Sequence, residues 1–132
     1  MDYVIEHNKD QQIITVTARG KWELEKDNEM LRQIMKAIEE SGSKKVLVDI
    51  RELDFDLPMI HFYERAQGLR DQRLKVSTTS TRVALVYSAR NKKIDEDVLF
   101  FETVARNRNL PYRVFKELEE ARAWLCEPKS AV

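Results

Sequence analysis

The sequence predicts an α/β protein: a single mixed, mostly parallel sheet with an N-terminal β-hairpin, covered by about four helices. Three observations predict it. Two short alternating, β-branched runs flank a polar turn near the N-terminus. Two near-continuous apolar runs, around Val46–Ile50 and Val83–Tyr87, read as strands covered on both faces. Amphipathic segments at helical spacing stand between and after them. Strands alternating with helices imply parallel pairing, and 132 residues fit one domain spanning 1–132.

Tyr3 to His7 alternates, with Tyr3, Ile5 and His7 on one face and Val4 and Glu6 on the other. The polar run Asn8-Lys9-Asp10-Gln11-Gln12 is turn-like. Ile14, Val16 and Ala18 then face away from Thr15 and Thr17, completing a hairpin. Gly20 separates it from a helix over 22–41, whose stripe is Leu24, Leu31, Ile34, Met35 and Ile38. Glu23, Glu25, Asp27 and Glu29 crowd the early turns, where the helix dipole favours acids. Ser41-Gly42-Ser43 ends it.

The strand at Val46–Ile50 stops near Asp49, and an acidic loop follows. Pro58 suits the first turn of a helix over 57–70, Asp56 can cap it, and Met59, Phe62, Tyr63, Ala66 and Leu69 share one side. Residues 70–81 read as a polar loop with a Ser77–Thr81 hydroxyl run open to phosphorylation. After the strand Val83–Tyr87 comes a helix over 95–108, with Ile94, Val98, Phe101, Val104 and Ala105 as its stripe. Pro111 blocks its continuation. Tyr112–Phe115 is a short strand, and a helix over 117–126 buries Leu118, Ala121 and Leu125 before Pro128.

Composition narrows the function classes. Lysine plus arginine and aspartate plus glutamate both number 23, so no basic excess steers nucleic acid. A single cysteine, Cys126, excludes an internal disulfide and multi-cysteine zinc sites, and is expected to pack half-buried. Neither a basic-then-apolar leader nor an apolar run near 20 residues occurs, so a soluble, cytoplasmic protein is expected. Only three glycines are present, none in a phosphate-cradling loop, and no nucleophile motif occurs. No cofactor is implied.

Several motifs together resemble the STAS superfamily, in particular its SpoIIAA-like branch of small bacterial proteins. They are Gly20-Lys21-Trp22, Val46-Leu47-Val48-Asp49-Ile50-Arg51, Val83-Ala84-Leu85-Val86, and Arg113-Val114-Phe115 followed by Glu120-Ala121-Arg122-Ala123-Trp124-Leu125. The resemblance spans nearly the whole chain and implies a STAS-like domain, non-catalytic and regulatory. In the anti-sigma-factor antagonists of that superfamily, a partner kinase phosphorylates a serine at the start of the helix after the third strand. The matching stretch here, Asp54-Phe55-Asp56-Leu57-Pro58-Met59, offers no Ser, Thr or Gly. Phosphoswitching at that place is therefore not expected. The SpoIIAA-like branch also resembles CRAL-TRIO lipid-binding domains, which implies apolar ligands or membrane contact.

The candidate site is an apolar wall where two helix starts meet beyond the carboxyl ends of the strands, the usual ligand position in open α/β sheets. It comprises Leu57, Met59, Ile60, Phe62, Tyr63, Ile94, Leu99 and Phe100, rimmed by Arg90, Lys92 and Lys93. Ile60 and Leu99 fall off their helix stripes. With Arg70, Arg73, Lys75 and Arg82, the rim forms a basic patch suited to an anionic surface. The expected occupant is an apolar or amphipathic ligand, a lipid or a peripheral membrane contact. The alternative is a protein-interaction regulator like the antagonists, working without the serine. A homodimer is expected because exposed apolar positions such as Leu99 need cover. An enzyme reading would use Asp49, Glu52, Asp54 and Asp56, provided one were buried; capping and solvated loop charges explain them more simply. His7 and His61 stand on different elements, which argues against a metal site.

Overall fold

Strand geometry turns each alternating run into a two-sided surface, and the sheet is built from that. The computed structural model describes residues 1–54, 81–90, 92–107 and 111–127. They form β1 (Asp2–Asn8), β2 (Ile13–Lys21), α1 (Leu24–Ser41), β3 (Lys45–Asp54), β4 (Arg82–Val86), α2 (Lys92–Asn107), β5 (Tyr112–Phe115) and α3 (Leu118–Cys126). The five strands lie side by side in chain order. Only β1 is antiparallel to its neighbour; β2 through β5 run parallel. The helix expected over 57–70 and the loop from 70 to 80 lie outside the described residues.

One face of the sheet carries Ile14, Val16, Ala18, Val46, Val48 and Val83, and packs against Met30, Leu31, Ile34, Met35 and Ile38 of α1 and Val98, Phe101, Val104 and Ala105 of α2. On the other face, Ile13, Leu47, Ala84 and Val86 pack under Ala121 and Leu125 of α3. The alternating residues of β3 and β4 therefore serve two cores, which is why both strands read as unbroken apolar runs. Thr15 and Thr17 lie on the second face, half-buried, and Val4 beside Thr17 is 49% exposed.

Local chemistry closes each corner. Asn8 Oδ1 accepts the backbone N–H groups of Asp10 and Gln11, at 3.0 and 3.2 Å, an Asx turn that reverses the hairpin. Gly42 ends α1 at φ +70°, its N–H bonded to Ile38 O at 2.9 Å, a left-handed cap for which glycine has no steric penalty. The hydroxyl of buried Ser43 donates to Gln12 O and anchors the hairpin turn to the start of β3. Arg82 Nη1 donates to Trp124 O and Glu127 O, at 3.0 and 2.9 Å, supplying the cation that the end of α3 lacks.

Several expectations are corrected. β3 does not stop at Asp49 but runs to Asp54, so Arg51, Glu52 and Asp54 belong to a strand rather than an acidic loop. The extension pairs with Arg19–Lys21 after a bulge: β2 advances from Thr17 to Arg19 while β3 advances from Asp49 to Glu52. Correspondingly β2 continues through Gly20, whose φ of +89° favours glycine, and α1 starts only at Leu24. Leu24 is 55% exposed, because the first turn overhangs the sheet; Met30 takes a core place instead. Cys126 is exposed, not half-buried, because it is the final residue of α3. Thr81, the last of the hydroxyl run and the one that is described, is buried at the entry to β4 and so is not open to modification.

Candidate functional site

Parallel strands send their carboxyl ends to one edge of the molecule, where Lys21, Asp54, Val86 and Phe115 finish. Two polar clusters occupy that end. In the first, Tyr87 leaves β4 with its N–H bonded to Phe115 O at 3.0 Å. Its hydroxyl donates to Asp95 Oδ1 at 2.5 Å, and Lys116 Nζ lies 3.3 Å from the same oxygen. Burial, and then the Asp95 carboxylate, push the Tyr87 phenol well above its ordinary value. The Tyr87 hydrogen bond and the Lys116 charge hold Asp95 below the usual carboxylate range. Three segments, the ends of β4 and β5 and the start of α2, are thereby latched together.

The second cluster sits on β3. Asp49 Oδ2 accepts from Arg51 Nη2 at 2.8 Å, while Oδ1 accepts from Arg51 Nε at 3.0 Å and from the Arg51 N–H at 3.1 Å. Burial alone would raise the Asp49 carboxyl, but these Arg51 bonds and the guanidinium charge outweigh it and leave the pKa lowered. Arg90 Nη2 donates to Arg51 O at 2.8 Å, tying the segment after β4 back to β3.

The predicted residues distribute as follows. Leu57, Met59, Ile60, Phe62 and Tyr63 lie outside the described residues, as do Arg70, Arg73 and Lys75. Ile94 and Phe100 are half-buried and packed against the main core, whereas Leu99 is 45% exposed on the outer stripe of α2. Lys92 and Lys93 stand in the first turn of α2 and pair with Glu96 at 3.7 Å and Asp97 at 2.8 Å. Arg90, Lys92 and Lys93 do share the carboxyl end. Arg82 does not: it opens β4 at the opposite end, committed to α3, because parallel strands separate the two ends by a strand length.

Among the carboxylates, Glu52 and Asp54 are exposed, Asp49 is held ionised by Arg51, and Asp56 lies outside the described residues. Among the described residues, none of these carboxylates is a proton donor poised against an apolar wall. His7 is exposed at the far end of β1, and among the described residues no group of three acids, histidines or cysteines could hold a metal ion. Nor is any helix among them long and apolar enough to cross a membrane.

Neither the Tyr87–Asp95 latch nor the Asp49–Arg51–Arg90 chain is legible as a unit in the sequence: Asp49 and Arg51 stand two residues apart, but spacing alone does not reveal that Tyr87 meets Asp95 or that Arg90 returns to Arg51.

The SpoIIAA-like family matches residues 13–126, from the start of β2 to the end of α3. The chain belongs to the SpoIIAA-like family. Solved structures agree on the fold. An anti-sigma factor antagonist from Mycobacterium paratuberculosis superposes with a TM-score of 0.61 at 11% identity, covering 96% of this chain and 94% of that one. A protein of the DUF3478 family with a SpoIIAA-like fold, from Shewanella loihica PV-4, gives 0.52 at 24% identity over 95% and 93%. No curated protein matches the chain. The SpoIIAA-like match takes in β2 to β5 and all three described helices; the segment 54–59 contains no Ser, Thr or Tyr.

Proposed function

We propose that this SpoIIAA-like chain is a non-catalytic regulator that works by docking a protein partner at the carboxyl end of its sheet, on the surface bounded by Arg90 and the outer stripe of α2. The observation that carries the reading is mutual satisfaction of the polar groups there. Asp95 accepts from Tyr87 and pairs with Lys116, and Arg51 links Asp49 to Arg90, so the polar groups described at this end are charged and already engaged with one another, which suits docking more than turnover. Leu99 projects from it between the exposed Glu96 and Thr103. Buried apolar anchors ringed by polar groups are the usual centre of a protein interface. The fold shared with an anti-sigma factor antagonist is in keeping with such a role.

A second reading keeps the same surface and changes its occupant to an apolar or amphipathic ligand or an anionic membrane. It is favoured by Arg90, Lys92 and Lys93 standing at the start of α2, the helix that also exposes Leu99. Against it, Lys92 and Lys93 already have carboxylate partners.

The two part in one experiment. A photo-crosslinking residue replaces Leu99 in cells, and the purified protein is spun with vesicles of anionic phospholipid and inspected by native mass spectrometry. One discrete protein adduct, abolished by Arg90→Glu, with no vesicle or lipid binding, supports the partner reading. Co-sedimentation with vesicles, or copurifying lipid, without an adduct replaces it with the second.

A further inference from the structure

The sheet has two edges, and they are finished differently. At β5, Val83 N–H donates to Pro111 O and Tyr87 N–H to Phe115 O. Those bonds aim the backbone groups of Pro111, Arg113 and Phe115 at β4, and so turn those of Tyr112 and Val114 outward. The outward Val114 N–H is capped by Glu102 Oε2 of α2 at 2.7 Å. A carboxylate laid on a four-residue edge strand is a barrier to pairing.

The orientation of β1 follows from the same bookkeeping carried across the sheet. Arg82 N–H donates to Lys44 O, so Val46 and Val48 aim their backbone groups at β4, and Lys45, Leu47 and Asp49 aim theirs at β2. With Thr15 opposite Leu47, parallel geometry points Ile14 and Val16 toward β3 and Ile13, Thr15 and Thr17 toward β1. Their partners Asn8, Glu6 and Val4 therefore spend their backbone groups on β2. The N–H and C=O groups of Tyr3, Ile5 and His7 point off this edge, and no strand among the described residues pairs with them. This edge is seven residues long and contains no lysine or proline.

We infer that β1 is an interface for a second copy of this chain, pairing antiparallel with the partner's β1 about a twofold axis at Ile5 and joining the two sheets edge to edge. The register argues for a copy of itself. Partners across an antiparallel pair share a face, so the twofold axis must pass through a residue. At Ile5 it sets Tyr3 against the partner's His7, Val4 against the partner's Glu6 and Asp2 against the partner's Asn8. Moving the axis to Val4 opposes Asp2 to the partner's Glu6, and moving it to Glu6 opposes two glutamates, both repulsive. Axes at Tyr3 or His7 also keep like charges apart but overlap only three residues of each β1; among the registers that overlap five or more, only the Ile5 axis avoids like charges, and there Tyr3, Ile5 and His7 all meet outward-pointing groups, with two hydrogen bonds exchanged per pair. Beside the edge, α1 brings Lys26, Glu29 and Arg32, charges of both signs that act on the Tyr3 hydroxyl. This surface is remote from the docking platform proposed above and does not depend on it.

The test uses the full chain in sedimentation velocity from micromolar to a few hundred micromolar. A dimer is expected. His7→Pro removes an outward N–H without touching the β1–β2 ladder, where proline is tolerated. By symmetry it affects two pairs, and it should weaken the dimer at least about tenfold while circular dichroism and Tm stay near wild type. A second measurement does not depend on how proline is accommodated. In a Cys126→Ser background, Ile5→Cys should oxidise to a disulfide-linked dimer, since directly bonded antiparallel pairs hold Cα atoms about 5.5 Å apart, and Val4→Cys should not. A wild-type monomer throughout the range overturns the inference. So does a dimer that His7→Pro leaves intact and Ile5→Cys fails to link.

Discussion

The Tyr87 hydroxyl donates to Asp95 Oδ1 across 2.5 Å, joining the end of β4 to the first turn of α2. Tyr87 is 2% exposed, so its phenolate would have to form in a desolvated place beside a carboxylate. The folded pKa is raised above the ordinary 10.0. The sign is therefore that of a proton held more tightly by the fold: the stabilisation is complete below pH 10 and is lost as pH rises through the folded value. Tyr3 is also raised, by burial and by Glu29, so spectrophotometric titration of the native protein should show more than one phenol ionising late, and Tyr87→Phe should remove one phenol from that late amplitude. A late amplitude unchanged by the substitution contradicts the latch.

Asp49 has the opposite sign. Its folded pKa lies below the ordinary 3.8 despite burial, because Arg51 bonds both oxygens. The stabilisation is present above pH 3.8 and disappears as pH falls through the folded value. Urea midpoints measured from neutral pH down into this range should fall less steeply for Asp49→Asn than for wild type. Equal slopes would mean the pair contributes nothing.

Arg82 reaches from β4 to the last carbonyls of α3 and lies 5.7 Å from the Trp124 ring centroid. Hydrogen bonds from a charged donor to helix-end carbonyls contribute about 1–2 kcal/mol when partly screened. Arg82→Gln should lower stability by about that amount in denaturant unfolding with an unchanged m-value. Protection of α3 amides in hydrogen exchange should fall with it.

Two leucines on helices separate core from surface. Leu125 is fully buried beneath the sheet, and Leu125→Ala should cost about 2–5 kcal/mol. Leu99 is 45% exposed, and Leu99→Ala should change stability by less than about 0.5 kcal/mol. Calorimetry on the pair checks both. A large loss from Leu99→Ala would assign that residue to packing and withdraw it from the docking surface.

The legible parts of this sequence were those where one residue's neighbours along the chain decide its environment. Ile14, Val16 and Ala18 alternate with Thr15 and Thr17 because one face meets α1 and the other has only partial cover. Val46, Leu47 and Val48 run together because both faces are covered. The reading failed where cover depends on a distant element. Arg51, Glu52 and Asp54 look like a loop, yet they form strand because Arg19–Lys21 lies alongside to pair with them. Leu24 looked like core and is exposed, since nothing in a helical stripe reveals where the sheet beneath it ends. Arg82 looked like part of a basic patch with Arg90, although the strand between them puts the two at opposite ends.

The sequence by itself determined the order of the described elements, the mixed sheet with its leading hairpin and the absence of a hydroxyl from segment 54–59, because periodicity, turn chemistry and residue identity are local properties. Tertiary structure alone decided the strand order, the bulge that carries β3 to Asp54, the Tyr87–Asp95 and Asp49–Arg51–Arg90 clusters, and the contrast between an edge capped by Glu102 and one left open at Ile5. Those depend on which segments lie side by side. Hydrogen bonds between residues far apart in the chain form only after packing has brought them within about 3 Å.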